Sequence, residues 1–233
     1  MLGFLNRLAT FWTEKLHSQV SSFVAFFGVF WLSISLITLY ILAKLSEGVL
    51  EQEAFAFDKT ILLAIHKLSS PVLDTIMLGI TRVGDPRTVV PLTLVVLGLL
   101  VWKRYFLEAK FFAIDTFGGA ALSYFLKLVF SKQRPQLWTS PITETTFSYP
   151  SGHALGSIVL YGFLSYILAT IYPRYAKMFY LAASLLIVLI GLSRLYLGVH
   201  WPTDIVAGYG VGFVWVTVCI SLLRLQRLKR QAI

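Results

Sequence analysis

Charged residues are scarce in this chain of 233 residues, making up 13% of it against 57% hydrophobic and 15% aromatic residues. So few polar groups cannot cover the surface of a water-soluble globular domain, which excludes that class and points to a membrane protein. Cysteine is nearly absent: Cys219 stands alone in an apolar stretch, which excludes an intramolecular disulfide framework or a cysteine-rich metal site and leaves a buried thiol. Acidic residues are also few, 11 against 20 lysines and arginines, for a net charge of +9. No basic-aromatic patch on a soluble domain accompanies this excess, so nucleic acid is not an expected partner; anionic lipid head groups are. The N-terminal segment lacks a small-residue cleavage site. Met1–Ser22, with Phe4, Leu5, Leu8, Phe11, Trp12 and Leu16, reads as an interfacial amphipathic helix leading into an uncleaved span.

Six stretches approach the roughly 20 apolar residues that a bilayer core of about 30 Å requires. They are Phe23–Leu45, Thr88–Trp102, Ala109–Phe130, Ala154–Ile171, Met178–Leu195 and Ile205–Leu223, of which the second is short. Phe55–Leu68 and Val72–Val83 have helical apolar spacing but cannot span, and Ser69-Ser70-Pro71 separates them. The expected fold is all-α: a polytopic membrane bundle of six transmembrane helices, with short interfacial helices on the outer face within residues 46–87. One integral-membrane domain is expected to cover residues 1–233. Arg7, Lys15, Lys103, Arg104, Lys110, Arg174, Lys177, Arg224, Arg227, Lys229 and Arg230 fall on the face shared by the termini, which the positive-inside rule makes cytoplasmic.

A second basic group breaks that rule. Lys127 is followed after six residues by Arg134-Pro135; Pro150-Ser151-Gly152-His153 precedes the fourth span; and Ser193-Arg194, five residues, His200, three residues and Asp204 precede the sixth. All three blocks are expected on one membrane face. Cations at that depth cost free energy and imply a partner of opposite sign, and local carboxylates look too few to be that partner. A phosphate group fits. Arg134 and Arg194 can fork onto its oxygens, Lys127 adds a point charge, and Ser151, as N-cap, with Gly152 opens a helix N-terminus to an anion. His200 and Asp204 are four residues apart, so the carboxylate can hold one imidazole nitrogen as N–H and free the other to attack; His153 can supply the proton for the leaving oxygen. Such chemistry needs positioning and charge stabilisation, without a metal or other cofactor.

These blocks resemble, at every defining position, the three-part signature of the type 2 phosphatidic acid phosphatase (PAP2) superfamily. The region from about Phe55 to Leu223 resembles its six-helix bacterial lipid phosphatases. The resemblance implies an enzyme of the inner (plasma) membrane in which His200 is the nucleophile, Asp204 orients it and His153 is the acid, while Lys127, Arg134, Ser151, Gly152 and Arg194 hold phosphate. Its substrate is a membrane lipid phosphate or pyrophosphate: phosphatidic acid, phosphatidylglycerol phosphate, diacylglycerol pyrophosphate or undecaprenyl pyrophosphate. The motifs choose neither the lipid nor an oligomeric state. Two rivals use the same residues: a phosphotransferase in which another hydroxyl intercepts the phosphohistidine, and a binder or transporter without catalysis, which would need the cations but not the histidines.

Other polar residues have plainer readings. His17 and His66 read as interfacial, Asp115 as paired with a neighbouring helix or lysine, and Lys132 as a solvated loop residue or secondary lipid contact. Trp138 and Trp201 suit an aromatic belt, and Gly208 and Gly212 suit close helix packing.

Overall fold

The computed structural model describes residues 29–51 and 56–231, all-helical with no strand among them. The chain divides into two compact units, 1–41 and 42–233, with the boundary inside the first described helix, α1 (Val29–Leu50). The predicted interfacial helix over residues 1–22 and the start of the first predicted span lie outside the described residues.

In the second unit, α2 (Ala56–His66) and α3 (Pro71–Val83) are the two short helices expected from the sequence. Ser70 caps α3, its hydroxyl accepting the Leu73 N–H at 3.3 Å, and Pro71 supplies a first-turn φ already suited to a helix. Then come α4 (Pro86–Trp102), α5 (Phe106–Phe130), α6 (Gly152–Ile171), α7 (Ala176–Tyr196) and α8 (Pro202–Gln231). From the second onward, each predicted span lies inside one of these helices, which run longer because polar end turns continue them. Among the described residues, the Ser33–Leu50 part of α1 and helices α5 to α8 are long and apolar enough to cross a membrane; α3 and α4 together make a sixth candidate, bent by 42° at their junction. That bend changes the meaning of the short second span: α4 alone has 17 residues, and α3 extends it.

The core of the bundle is packed around Phe112, Leu155, Leu160, Phe163, Ile167, Ile190 and Leu223. Outside it, Phe117, Tyr124, Leu181 and Trp102 are exposed, an apolar surface suited to acyl chains rather than water. One close contact sets the geometry of the polar end. A Cβ on Gly208 would lie 2.7 Å from the Ser151 carbonyl oxygen and one on Gly212 3.0 Å from that of Leu155, so only glycines let α8 approach α6 this closely. The Ser151 N–H then donates to the Asp204 carbonyl at 3.0 Å, and the N-terminal ends of α6 and α8 stand side by side.

Candidate active site

Helix α8 starts at Pro202, so His200 lies just before it and Asp204 in its first turn. His200 is 1% exposed, with Nδ1 3.3 Å from Asp204 Oδ2. That oxygen also accepts the Trp201 N–H at 2.9 Å and a close hydrogen bond from the Ser148 hydroxyl, which lies 3.3 Å from Nδ1 itself. Asp204 therefore faces Nδ1 and leaves Nε2 with a lone pair, toward which Arg134 Nη1 points at 3.1 Å. Burial pushes the His200 imidazole down to about 3, with Arg134 and Arg194 adding to the shift and Asp204 opposing it. That shift favours the neutral ring, the form in which an imidazole can attack.

The other oxygen of Asp204 corrects the sequence reading of Lys132. Far from being solvated or lipid-bound, Lys132 Nζ donates to Asp204 Oδ1 and to the Thr203 hydroxyl, both at 2.9 Å. Thr203 in turn gives its N–H (3.0 Å) and its hydroxyl (2.7 Å) to the buried Asp58 of α2. Lys132 and Asp58 thus clamp the turn that carries Asp204. Spacing alone could not find them, since Asp58 and Thr203 are 145 residues apart.

The predicted phosphate ligands gather at the same end of the bundle. Ser131 closes α5 in the left-handed conformation at φ 44°, turning the chain back so that Lys127, buried in the last turn, donates to the Phe147 carbonyl. Arg134 is held by the carbonyls of Thr146 (2.8 Å) and Val199 (2.7 Å). Ser151 caps α6 by accepting the Ala154 N–H at 3.4 Å, and a Cβ on Gly152 would meet the Lys127 side chain at 3.6 Å. Arg194 is wholly buried; it donates to the Thr81 hydroxyl at 2.8 Å and pairs closely with Glu144. Its Nε has no hydrogen-bond partner among the described residues.

Glu144 corrects a second expectation, that local carboxylates would be too few to answer these cations. It sits on Arg194 and lies 3.6 Å from Arg134, so the arginines expected to grip phosphate share a carboxylate. Burial pushes the Glu144 carboxyl up, but the charge and hydrogen bond of Arg194, with Arg134, outweigh it and hold it below the usual range. A cleft of about 380 Å³ lined by Lys127, Lys132, Arg134, Glu144 and Phe147 opens past Tyr124 and Leu128, both exposed on α5. Neither histidine lines it; Arg134 reaches both the cleft and His200.

His153 is 9% exposed, and its Nε2 lies 2.8 Å from Asp85 Oδ1. Asp85 is not among the residues that the motif blocks single out; its place as N-cap of α4, ahead of Pro86, is the signal the sequence offers. Elsewhere, Asp115 is fully buried and meets the Cys219 thiol of the neighbouring α8 rather than a lysine. His66 stacks on Trp138 at 4.1 Å, and Trp138 packs against Gly198, whose φ of +70° suits glycine.

Known proteins resemble this chain in sequence and in fold. The chain is 29% identical over 160 residues to phosphatidylglycerophosphatase B of Bacillus subtilis (strain 168), covering 67% of this chain and 78% of that one. It is 28% identical over 194 residues to an undecaprenyl-diphosphatase of Sulfolobus acidocaldarius, covering 81% and 87%. Among solved structures, the transmembrane PAP2-type phosphatidylglycerolphosphate phosphatase of Bacillus subtilis superposes with a TM-score of 0.75 at 25% identity, over 81% of this chain and 94% of that one. The family profile described as PAP2 superfamily matches residues 108–227, a stretch holding all three sequence blocks, and the chain belongs to that superfamily.

Proposed function

We propose that this integral membrane protein removes a terminal phosphate from a lipid phosphate or pyrophosphate, without a metal, through a phosphohistidine on His200. The observation that carries the reading is a buried histidine with Nδ1 on a carboxylate and Nε2 beside an arginine. Lys127, Arg134, Arg194, Ser151 and the Gly152 N–H hold the phosphoryl oxygens and answer the charge that builds on them. In the resting arrangement Arg134 donates toward the His200 lone pair, so productive binding turns that guanidinium onto phosphate. His200 Nε2 then forms a bond to phosphorus as the P–O bond to the lipid breaks, and His153 protonates the departing oxygen. Water next attacks the phosphohistidine and returns a proton to His153; inorganic phosphate leaves and His200 is restored. Both relatives' names specify lipid-phosphate substrates, phosphatidylglycerophosphate and undecaprenyl diphosphate, and supply the first substrates to test.

The site faces the extracytoplasmic side and both termini are cytoplasmic, in a plasma-membrane setting. Support comes from Lys103, Arg104, Lys110, Arg174, Lys177, Arg224, Arg227, Lys229 and Arg230, which belong to the opposite ends of the spans. The test is phosphate release in detergent and chelator from phosphatidic acid, phosphatidylglycerol phosphate, diacylglycerol pyrophosphate and undecaprenyl pyrophosphate. At least one is turned over, and His200→Ala loses about 10⁴-fold or more. Undiminished turnover in that variant contradicts the nucleophile assignment.

A further inference from the structure

The corner between α3 and α4 is built against His153. Asp85 occupies the N-cap of α4, where an aspartate ordinarily accepts an N–H of its own first turn, yet its side chain makes no such bond. It reaches His153 Nε2 instead, at 2.8 Å, across 68 residues of sequence. Gly84 makes room for this: a Cβ there would lie 3.0 Å from His153 Cδ2 and 2.9 Å from Ile190 Cγ2. The Tyr161 hydroxyl of α6 donates to the Val83 carbonyl at 2.7 Å and ties the corner to the helix that carries His153. A forgone cap, a glycine seat and a tether all serve one imidazole contact.

We propose that Asp85 is a positioning residue for proton transfer: it accepts the His153 Nε2–H, fixes the ring and steadies the imidazolium, leaving Nδ1 to exchange the proton. This rests on the reading of His153 as the acid. Nδ1–H protonates the lipid oxygen as its bond to phosphorus breaks; neutral Nδ1 then takes a proton from the water that cleaves the phosphohistidine. Arg194 and Glu144 are the other charged groups that act on His153. Of the two carboxylates, Asp85 is the one in direct contact with the ring.

The test is a double-mutant cycle of Asp85→Asn and His153→Gln in the full chain, in detergent, with Asp85→Glu as the conservative variant. Size-exclusion profiles show that each variant is folded. On a lipid monophosphate, Asp85→Asn alone lowers kcat about 10–100-fold with KM little changed, and Asp85→Glu restores most of it. Added to His153→Gln, Asp85→Asn costs less than about 2-fold, because the group it serves is gone. With p-nitrophenyl phosphate, whose phenolate departs without a proton, the loss in Asp85→Asn shrinks to about 3-fold or less. An equal loss in both backgrounds, or on both esters, overturns the proposal, as does a silent Asp85→Asn. Wild-type turnover in His153→Gln would instead sink the underlying assignment of the acid.

Discussion

His200 and His153 both meet a carboxylate at the polar end of the bundle, but the two carboxylates are supported in different ways. Asp204 is clamped from four directions, by Trp201 N–H, Ser148, Lys132 and His200 itself, and its histidine is 1% exposed. Asp85 has one such contact, its side chain is about one-third exposed, and its histidine is open to 9%. The difference suits the two tasks proposed for these histidines. A nucleophile needs one tautomer and one position, so it is held on all sides, whereas a group that trades protons with a leaving oxygen and with water must stay partly open.

Breaking the rigid side has the largest effect. Asp204→Asn keeps the shape but offers Nδ1 the wrong partner and strands the Lys132 charge; turnover falls about 10³- to 10⁴-fold, measured as kcat on the preferred lipid. One step further out, Lys132→Gln and Asp58→Asn loosen the turn under Asp204. Each lowers kcat about 10–100-fold, and Lys132→Arg retains more activity than Lys132→Gln. A rise in KM alone would show that Lys132 meets substrate rather than Asp204.

The smallest effect is on stability against pH. Burial lowers the His200 value to about 3 in the folded protein, while an unfolded histidine titrates near its ordinary 6.5. Between these values the unfolded chain binds the extra proton, so stability is full above about pH 6.5 and declines as pH falls toward 3. Thermal unfolding in detergent from pH 7 to pH 4 shows this decline, and His200→Gln makes it shallower. An unchanged slope in that variant means that burial does not hold the ring neutral.

Legibility in the sequence followed the range of the interactions. Spans and motif blocks could be read because apolar runs and i, i+4 spacing are local: His200 with Asp204, or Ser151 as cap of α6. The sequence hides the role of Lys132 because its charge is answered by residues more than seventy positions away, Asp204 and, at 3.9 Å, Asp58. Glu144 is not legible because only the folded loop sets it on Arg194, and Asp85 is not because an N-cap aspartate ordinarily serves its own helix. Gly208 and Gly212 marked close packing in the sequence, but not that the packing would set the starts of α6 and α8 side by side.

The most direct test of the whole account is rapid-quench labelling with a radiolabelled lipid phosphate, followed by peptide mapping. The account predicts an acid-labile, alkali-stable label on the peptide that contains His200, present in the wild type and absent from His200→Gln. A label on His153, on a serine or on a carboxylate, or rapid turnover with no phosphorylated enzyme at any quench time, would contradict it.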